Sequence, residues 1–198
     1  MATRLEDGAL KQLFLEARTH RAWQPRDVPD NVLKELVDLM KMGPTASNCQ
    51  PARLVFVKSR EAKERLKPHL SEGNRDKTMA APATAIVAHD LDFHAQLSIL
   101  APHAPHMKDY FGGLPVEGRA PIASQGSSLQ GAYVMLAARA LGLDCGPMGG
   151  FNKEGVDTEF LSGTNWKSNF LINLGFGDPA GVRPRAPRLE FSFAARII

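Results

Sequence analysis

The stretch "SQGSSLQGAYVMLAARALGLD", residues 124–144, limits what this chain can fold into more than any other. Its larger apolar residues recur three and four apart, so Leu129, Ala132, Tyr133, Leu136, Ala140 and Leu141 share one helical face. Alanine and glycine fill much of the remainder, and Gly142 closes the helix. A helix lined by small residues admits neighbours from several directions, which predicts a helix buried on more than one side.

The segments around it are a mixture. "RLVFVK", "TAIVAHD" and "SNFLINLGFG" read as strands, rich in β-branched or aromatic residues and bounded by turn formers. Leu10, Leu13, Phe14 and Ala17 mark an amphipathic helix over residues 6–17. A second helix carries Val32, Leu33, Leu36, Val37 and Met40 and stops at Gly43 and Pro44. "SREAKERLKPHL" reads as an exposed helix opening on Ser59, and "NKEGVDTEFLS" as a short one. Residues 91–122 hold repeated prolines and a glycine pair, which predicts a surface excursion or lid over a site. Strands and helices do not alternate regularly, so the expectation is one α+β domain over 1–198, helices packed on a small sheet. No internal repeat is visible.

Composition narrows the class of function. With 198 residues and 43% hydrophobic content the chain can bury a core. A formal charge of +3 is too small for a nucleic-acid footprint unless concentrated on one face. The N-terminal "MATRLEDGALKQL" lacks a signal-peptide apolar core, and no later run is long enough to span a bilayer. Cys49 and Cys145 have no disulfide-framework or zinc spacing. The expectation is a soluble cytoplasmic protein without a metal, acting neither on nucleic acid nor in a membrane. After residue 180, Arg183, Arg185, Arg188 and Arg196 face only Glu190; a solvated tail and a local anion site are both open readings.

Familiar reactive machinery is missing. "LGFGDPAG" follows a strand, yet its glycine spacing and proline defeat the dinucleotide fingerprint. There is no GxxxxGK[ST], and "QGSSLQG" is no nucleophile elbow. His103 and His106 in "HAPH" have no neighbouring carboxylate or thiolate to complete a metal set, so an ordinary loop is the better reading. A chain without its own reactive group points to a borrowed cofactor.

Four stretches carry groups suited to an anion and a flat heterocycle. In "ARTHRAW", Arg18, Thr19 and Arg21 put two guanidiniums beside a hydroxyl, donors that suit phosphate. In "GPTASNCQP", Thr45, Asn48 and Gln50 lie between Pro44 and Pro51, and amides offer both donor and acceptor. In "GNRDK", Asn74 and Lys77 share one side of a helical turn. In "GLDCGPMGGF", Gly146, Gly149 and Gly150 beside Pro147 leave bare backbone that something flat can approach. Singly, each is matched by a bland explanation: a helix C-terminus, a capped turn, a solvated face, a turn-forming loop.

In order along the chain, the set resembles the FMN-dependent nitroreductase-like flavoproteins. That family's pattern has an early R-S/T-x-R, then P-S/T-x-x-N-x-Q-P, N-x-x-K, a glycine-bearing loop after the central helix, and a basic R-x-R. Here these read Arg18-Thr19-His20-Arg21, Pro44 to Pro51, Asn74 to Lys77, Pro147-Met148-Gly149-Gly150 and Arg183-Pro184-Arg185. "MGPTASNCQPARLVF", "GNRDKTMAAPATAIVA", "ARALGLDCGPMGGF" and "KSNFLINLGFGD" are closest to the malonic semialdehyde reductase (3-hydroxypropionate-forming) branch, associated with pyrimidine degradation. Two departures touch the pocket. Ala52 and Arg53 follow the QP where many members have an aromatic, and Gly149 stands where many nitroreductases carry an acidic residue.

The resemblance implies a nitroreductase-like α+β fold, a small central sheet flanked by helices, in an interlocked homodimer with two shared FMN sites. Arg18, Thr19, Arg183 and Arg185 would hold the phosphate. Arg21 and Lys77 would sit near the N1/O2 side of the ring, and Asn74 at its pyrimidine edge. The backbone of Gly149 or Gly150 would meet N5, beside Pro147 and Met148. Pro44, Thr45, Asn48, Gln50 and Pro51 would form a wall reaching the neighbouring subunit's flavin, and the small-residue helix over 123–141 would supply part of the dimer interface. The implied reaction is ping-pong: NAD(P)H gives hydride through N5, and a small aldehyde acid then takes it, malonic semialdehyde becoming 3-hydroxypropionate. Arg119, in the excursion, would read the substrate carboxylate. A broad NAD(P)H nitro or quinone reductase is the nearer alternative, and a non-enzymatic flavin-binding module the more distant.

Overall fold

Alternation along the strands decides how the layers stack. In the computed structural model, which describes residues 3–198, β1 (Ala52–Val57), β2 (Ala83–Asp90), β3 (Asp144–Met148) and β4 (Trp166–Gly175) form one sheet of order β1-β2-β4-β3. Every pairing is antiparallel, with Val55 opposite Ile86, Ala85 opposite Ile172 and Cys145 opposite Leu174. Successive side chains point to opposite faces. Ala83, Ala85, Val87, Cys145, Ile172 and Leu174 therefore share one face, under α2 (Asp30–Met40) and α7 (Val116–Ala140). Val57, Ile86, Met148 and Leu171 share the other, under α3 (Arg60–Leu66) and α8 (Lys153–Phe160). This is the α+β, helix-flanked sheet that the sequence predicts.

The central helix is buried, but on a different stripe from the one expected. Ala123, Gly126, Gln130, Val134 and Ala137 face inward. Leu129 and Tyr133 are 48% and 37% exposed. Small residues win the inner face because the neighbours come so close. A Cβ on Gly131 would lie 2.3 Å from Phe170 Cζ, and one on Gly126 2.6 Å from Pro51 Cγ. The buried Gln130 carboxamide then accepts the Ala52 N–H at 2.9 Å, joining α7 to the start of β1.

The predicted excursion is helical. After a 3₁₀ turn at Phe93–Gln96 come α5 (Leu97–Leu100) and α6 (His106–Gly113), and α7 itself begins at Val116, carrying Pro121 inside it. Pro105 and Pro115 sit at helix N-caps, where a missing N–H costs nothing. Phe93, Leu97, Ala101, Phe111 and Ala123 close a small core of their own around Cys49. The 6–17 helix is shorter than expected: α1 (Asp7–Leu10) widens into a π-helical turn at Lys11–Leu15. α4 (Glu72–Ala80) precedes β2 in the chain. Residues 182–190 are irregular and end in α9 (Phe191–Ala194). Among the described residues, no helix is long and apolar enough to cross a membrane, and no cluster of potential metal ligands occurs.

Candidate functional site

The site begins with a short extended segment wedged against the edge of the sheet. Thr19 bridges Cys145 in parallel, and the His20 N–H donates to the Cys145 carbonyl at 3.0 Å. Gln24 N–H donates to Phe176 O at 2.8 Å, and Asp178 N–H to Ala22 O at 3.0 Å. The His20 ring, 8% exposed, fixes this segment from beneath, with Nε2 at 3.2 Å from Asp144 Oδ1. Asp144 Oδ2 accepts the Gly177 N–H at 2.9 Å. Gly177 has to lack a side chain here, since a Cβ would lie 1.9 Å from His20 Nδ1. Sequence reasoning missed this clasp, because its members are 33 and 124 residues apart and no motif joins them.

What the segment presents is a cavity of about 470 Å³ with six guanidiniums on its lining: Arg18, Arg21, Arg139, Arg183, Arg185 and Arg188. Thr19 lines it as well, and no carboxylate does. Among the described residues, none of the six forms an ion pair. Four of them, Arg18, Arg139, Arg185 and Arg188, lean instead on backbone carbonyls. Arg185 Nη2 donates to Leu15 O at 2.7 Å and Ala17 O at 3.0 Å. Arg139 Nη1 donates to Leu13 O at 2.9 Å, and Arg18 Nη2 to Arg183 O. The widened turn after α1 supplies two of these acceptors, Leu13 O and Leu15 O. Of the two readings of the basic tail, the structure supports the local anion site: Arg183, Arg185 and Arg188 all reach it.

Lys77 stands at one end of this field. Burial, and then the charges of Arg21 and Arg183, hold its ammonium below the usual lysine range. Its backbone carbonyl accepts from Trp23 Nε1 at 3.1 Å and Asn173 Nδ2 at 3.2 Å, which fixes that turn of α4. Three residues back, Asn74 Nδ2 donates to Gly150 O at 2.7 Å. Gly150 makes room for that contact, since a Cβ would sit 2.7 Å from the same nitrogen and displace the Asn74 amide. A Cβ on Gly149 would meet nothing within 4 Å, so the loop opens outward. The expected glycine-bearing loop is shorter than the sequence suggests. Pro147 and Met148 belong to edge strand β3, and Met148, 8% exposed, points into the core, where its sulfur accepts from Thr78 Oγ1.

The 44–51 segment is held by its own side chains. Thr45 Oγ1 accepts the Gln50 N–H at 3.1 Å, Gln50 Nε2 donates to Asn48 Oδ1 at 3.0 Å, and Asn48 Nδ2 donates to Leu100 O at 2.7 Å. Ser47, Asn48 and Gln50 all have left-handed backbone, with φ of 51°, 52° and 40°. Such positions cost about 1–3 kcal/mol each and collect at functional sites. Pro44, Thr45, Asn48, Gln50 and Pro51 do not line the arginine cavity of their own chain.

Arg119 is already engaged: Nη2 lies 3.3 Å from Asp92 Oδ1 and Nη1 donates to Gly112 O. It braces the helical excursion, so the expectation that it reads a substrate carboxylate is set aside. Burial pushes the Cys145 thiol up to about 12 and raises that of Cys49, so neither supplies a thiolate.

Comparison with known proteins places this geometry in context. The model of the nitroreductase family matches residues 15–176. A Stenotrophomonas maltophilia protein, provisionally named NADH dehydrogenase/NAD(P)H nitroreductase, is 59% identical over 197 residues, covering 100% of both chains. One from Burkholderia lata with the same provisional name is 58% identical over 195 residues, covering 98% of this chain and 99% of its own. Among solved structures, a provisionally named nitroreductase from Exiguobacterium sibiricum in complex with FMN superposes with a TM-score of 0.86 at 20% identity, over 100% of both chains. One from Bacillus subtilis gives 0.85 at 22% identity, over 98% of this chain and 100% of that one.

Proposed function

This chain belongs to the nitroreductase family, and from that premise we propose that it is an FMN-dependent NAD(P)H oxidoreductase that reduces a small aldehyde acid, malonic semialdehyde to 3-hydroxypropionate. The observation that carries the flavin assignment is the cavity of six guanidiniums without a carboxylate, adjoining Lys77, Asn74 and the open Gly149–Gly150 backbone. The donor set fits the cofactor: planar cations for a phosphate, an amide and a cation for the polar edge of a heterocycle, bare backbone for its flat ring.

Arg18, Thr19, Arg183 and Arg185 would hold the phosphate. Arg21 and Lys77 would face the ring's polar edge, where fixed positive charge favours added electron density. When bound, FMN supplies a two-electron carrier between reduced nicotinamide and the acceptor. Around it, the clasp of His20 and Asp144 keeps Thr19 and Arg21 in register with β3. Gly149 leaves space for a substrate to approach.

The second wall would come from another copy of the chain. Thr45, Asn48 and Gln50 sit in a strained, preorganised loop that does not reach its own arginine cavity. The loop adjoins exposed apolar residues: Tyr133 lies over Gly43, and Leu39, Met42 and Leu129 are also exposed. That combination supports a homodimer whose sites use Pro44 to Pro51 of the partner. Two buried, unpaired thiols suit a reducing cytoplasm.

The substrate rests on the closer likeness of four stretches to the malonic semialdehyde reductase branch, which would place the protein in pyrimidine degradation. The open space at Gly149 also favours a second reading, a broad nitro or quinone reductase. Anaerobic addition of NAD(P)H should bleach the yellow protein, and re-oxidation by malonic semialdehyde should be faster than by a nitroaromatic. The reverse order would replace the aldehyde reading with the broad one. A colourless protein that takes up no FMN would remove both.

A further inference from the structure

Lys63 is buried without a counter-ion. With Leu66 it forms the inner side of α3, and it is only 5% exposed. Among the described residues it makes no ion pair. Its Nζ donates to the Thr78 carbonyl near the end of α4 at 3.0 Å. That carbonyl also accepts the Ala81 N–H at 3.3 Å, so it does not depend on an ammonium. A buried charge with no partner is costly, and the group sheds its proton instead. Burial accordingly brings the Lys63 amine down to about 8. At pH 8 about half of it is neutral, against roughly 0.3% of an ordinary lysine.

The amine is buried but not sealed. It lines a cavity of about 370 Å³, to which Met79, Ala81 and Pro82 give an apolar wall. The charged lining is Lys58, Arg60 and Glu64. Lys58 is taken up by Asp30 at 2.7 Å and Asp27 at 3.6 Å, and Glu64 lies 3.7 Å from Lys67. Arg60 is exposed and, among the described residues, forms no ion pair. The cavity thus joins a nucleophilic nitrogen, an apolar approach and an uncommitted guanidinium. A desolvated neutral lysine attacks electrophilic carbon. Carbon dioxide suits this cavity among such electrophiles: it is small and uncharged, so the apolar wall admits it, and its adduct is an anion that a guanidinium can pair with.

We propose that Lys63 is a site of reversible carbamate formation with carbon dioxide, the carbamate lying in this cavity with Arg60 as its counter-ion. The Nζ lone pair forms a bond to the carbon of carbon dioxide, one C=O π pair moves onto oxygen, and Nζ releases a proton to water. No oxidant, reductant or further reactant takes part. The carbamate nitrogen keeps one N–H, so the hydrogen bond to Thr78 O survives the modification. This cavity shares no lining residue with the arginine cavity, and the proposal is independent of the flavin reading.

The test equilibrates the full chain as purified with isotopically labelled bicarbonate at pH 8. A carbamate carbonyl resonance should appear in the carbon NMR spectrum and vanish on degassing. Alkylation with triethyloxonium then fixes the adduct for peptide mass spectrometry, which should place it on Lys63. Its occupancy there should exceed that of the exposed Lys34 by at least about tenfold, following the larger neutral fraction. Lys63→Arg should abolish the adduct at this position; mapping on the wild type keeps the test informative even where that variant folds poorly. Arg60→Gln, a change at an exposed residue, should lower the occupancy about twofold to fivefold, the range of a partly exposed ion pair. A wild type with no adduct on Lys63 overturns the proposal. So does an adduct confined to the α-amino group, whose ordinary pKa of about 7.7–8.0 is similar, or one spread evenly over exposed lysines. Unchanged occupancy in Arg60→Gln overturns the part given to Arg60.

Discussion

Replacing Arg185 by alanine separates two jobs that one side chain performs. Its Nη2 bridges the carbonyls of Leu15 and Ala17 at 2.7 and 3.0 Å, and its guanidinium lines the anion cavity. Loss of the bridge loosens the segment leading to Arg18 and Thr19, which weakens any ligand of the site. Loss of the contact to phosphate weakens only a phosphorylated ligand. A hydrogen bond to a charged group contributes about 1.5–3 kcal/mol, or about 13- to 160-fold in affinity. The assay is a fluorescence titration of flavin-free protein with FMN and, in parallel, with riboflavin, which has no phosphate. The ratio of the two dissociation constants cancels the bridging effect, as in a double-mutant cycle. In Arg185→Ala that ratio should fall by about 13- to 160-fold, and in Arg185→Lys by less, because the charge stays while the planar fork is lost. A ratio within about twofold of the wild type would refute the phosphate assignment, however much overall affinity dropped.

Gly131→Ala should cost about 1–3 kcal/mol in denaturant melts, because the new methyl meets Phe170 Cζ at 2.3 Å, and Phe170→Leu should restore part of it. Burial holds the Lys63 amine near pH 8 in the folded chain, below its ordinary 10.5. The unfolded chain therefore binds the extra proton between those values, so stability should be lowest below about pH 8 and rise toward pH 10.5. The gain should reach up to about 3 kcal/mol, and this component should vanish in Lys63→Met, checked by urea melts at pH 7 and pH 10. Leu129→Glu combined with Tyr133→Glu should shift the protein to a monomer in size-exclusion chromatography and lower its flavin content, if the exposed face of α7 is the dimer contact.

Some parts of this molecule were legible from sequence because local physics decides them. Three strands showed as runs of apolar residues bounded by turn formers, and Ser59 accepts the Ala62 N–H as the helix-opening residue it was read to be. The basic and amide motifs were legible as donor chemistry, and the structure brings Arg18, Thr19, Arg21, Arg183 and Arg185 to one cavity. What stayed hidden was decided by tertiary context. β3 escaped notice because Gly146 and Pro147 look like a turn; an edge strand tolerates a proline that a central one would not. The inner face of α7 was misassigned because the apolar pattern cannot show that Phe170 and Pro51 press so close that only glycine fits. Arg139 and His20 carried no signal in the sequence, since no motif marks either one. Their meaning lies in partners far along the chain.

Half of the guanidiniums in the anion cavity hang from a stretch with no regular secondary structure, residues 182–190. Within the chain this stretch is tied to the opposite wall by Arg185, which donates to Leu15 O and Ala17 O, and by Arg18, which donates to Arg183 O; an incoming anion would add to that partial clasp. Cofactor loading thus doubles as a fastening step, and limited digestion with trypsin becomes a gauge of occupancy: the flavin-free chain should be clipped after Arg185 and Arg188, Arg183 being shielded by the Pro184 that follows it, while the loaded one keeps its C-terminal arm.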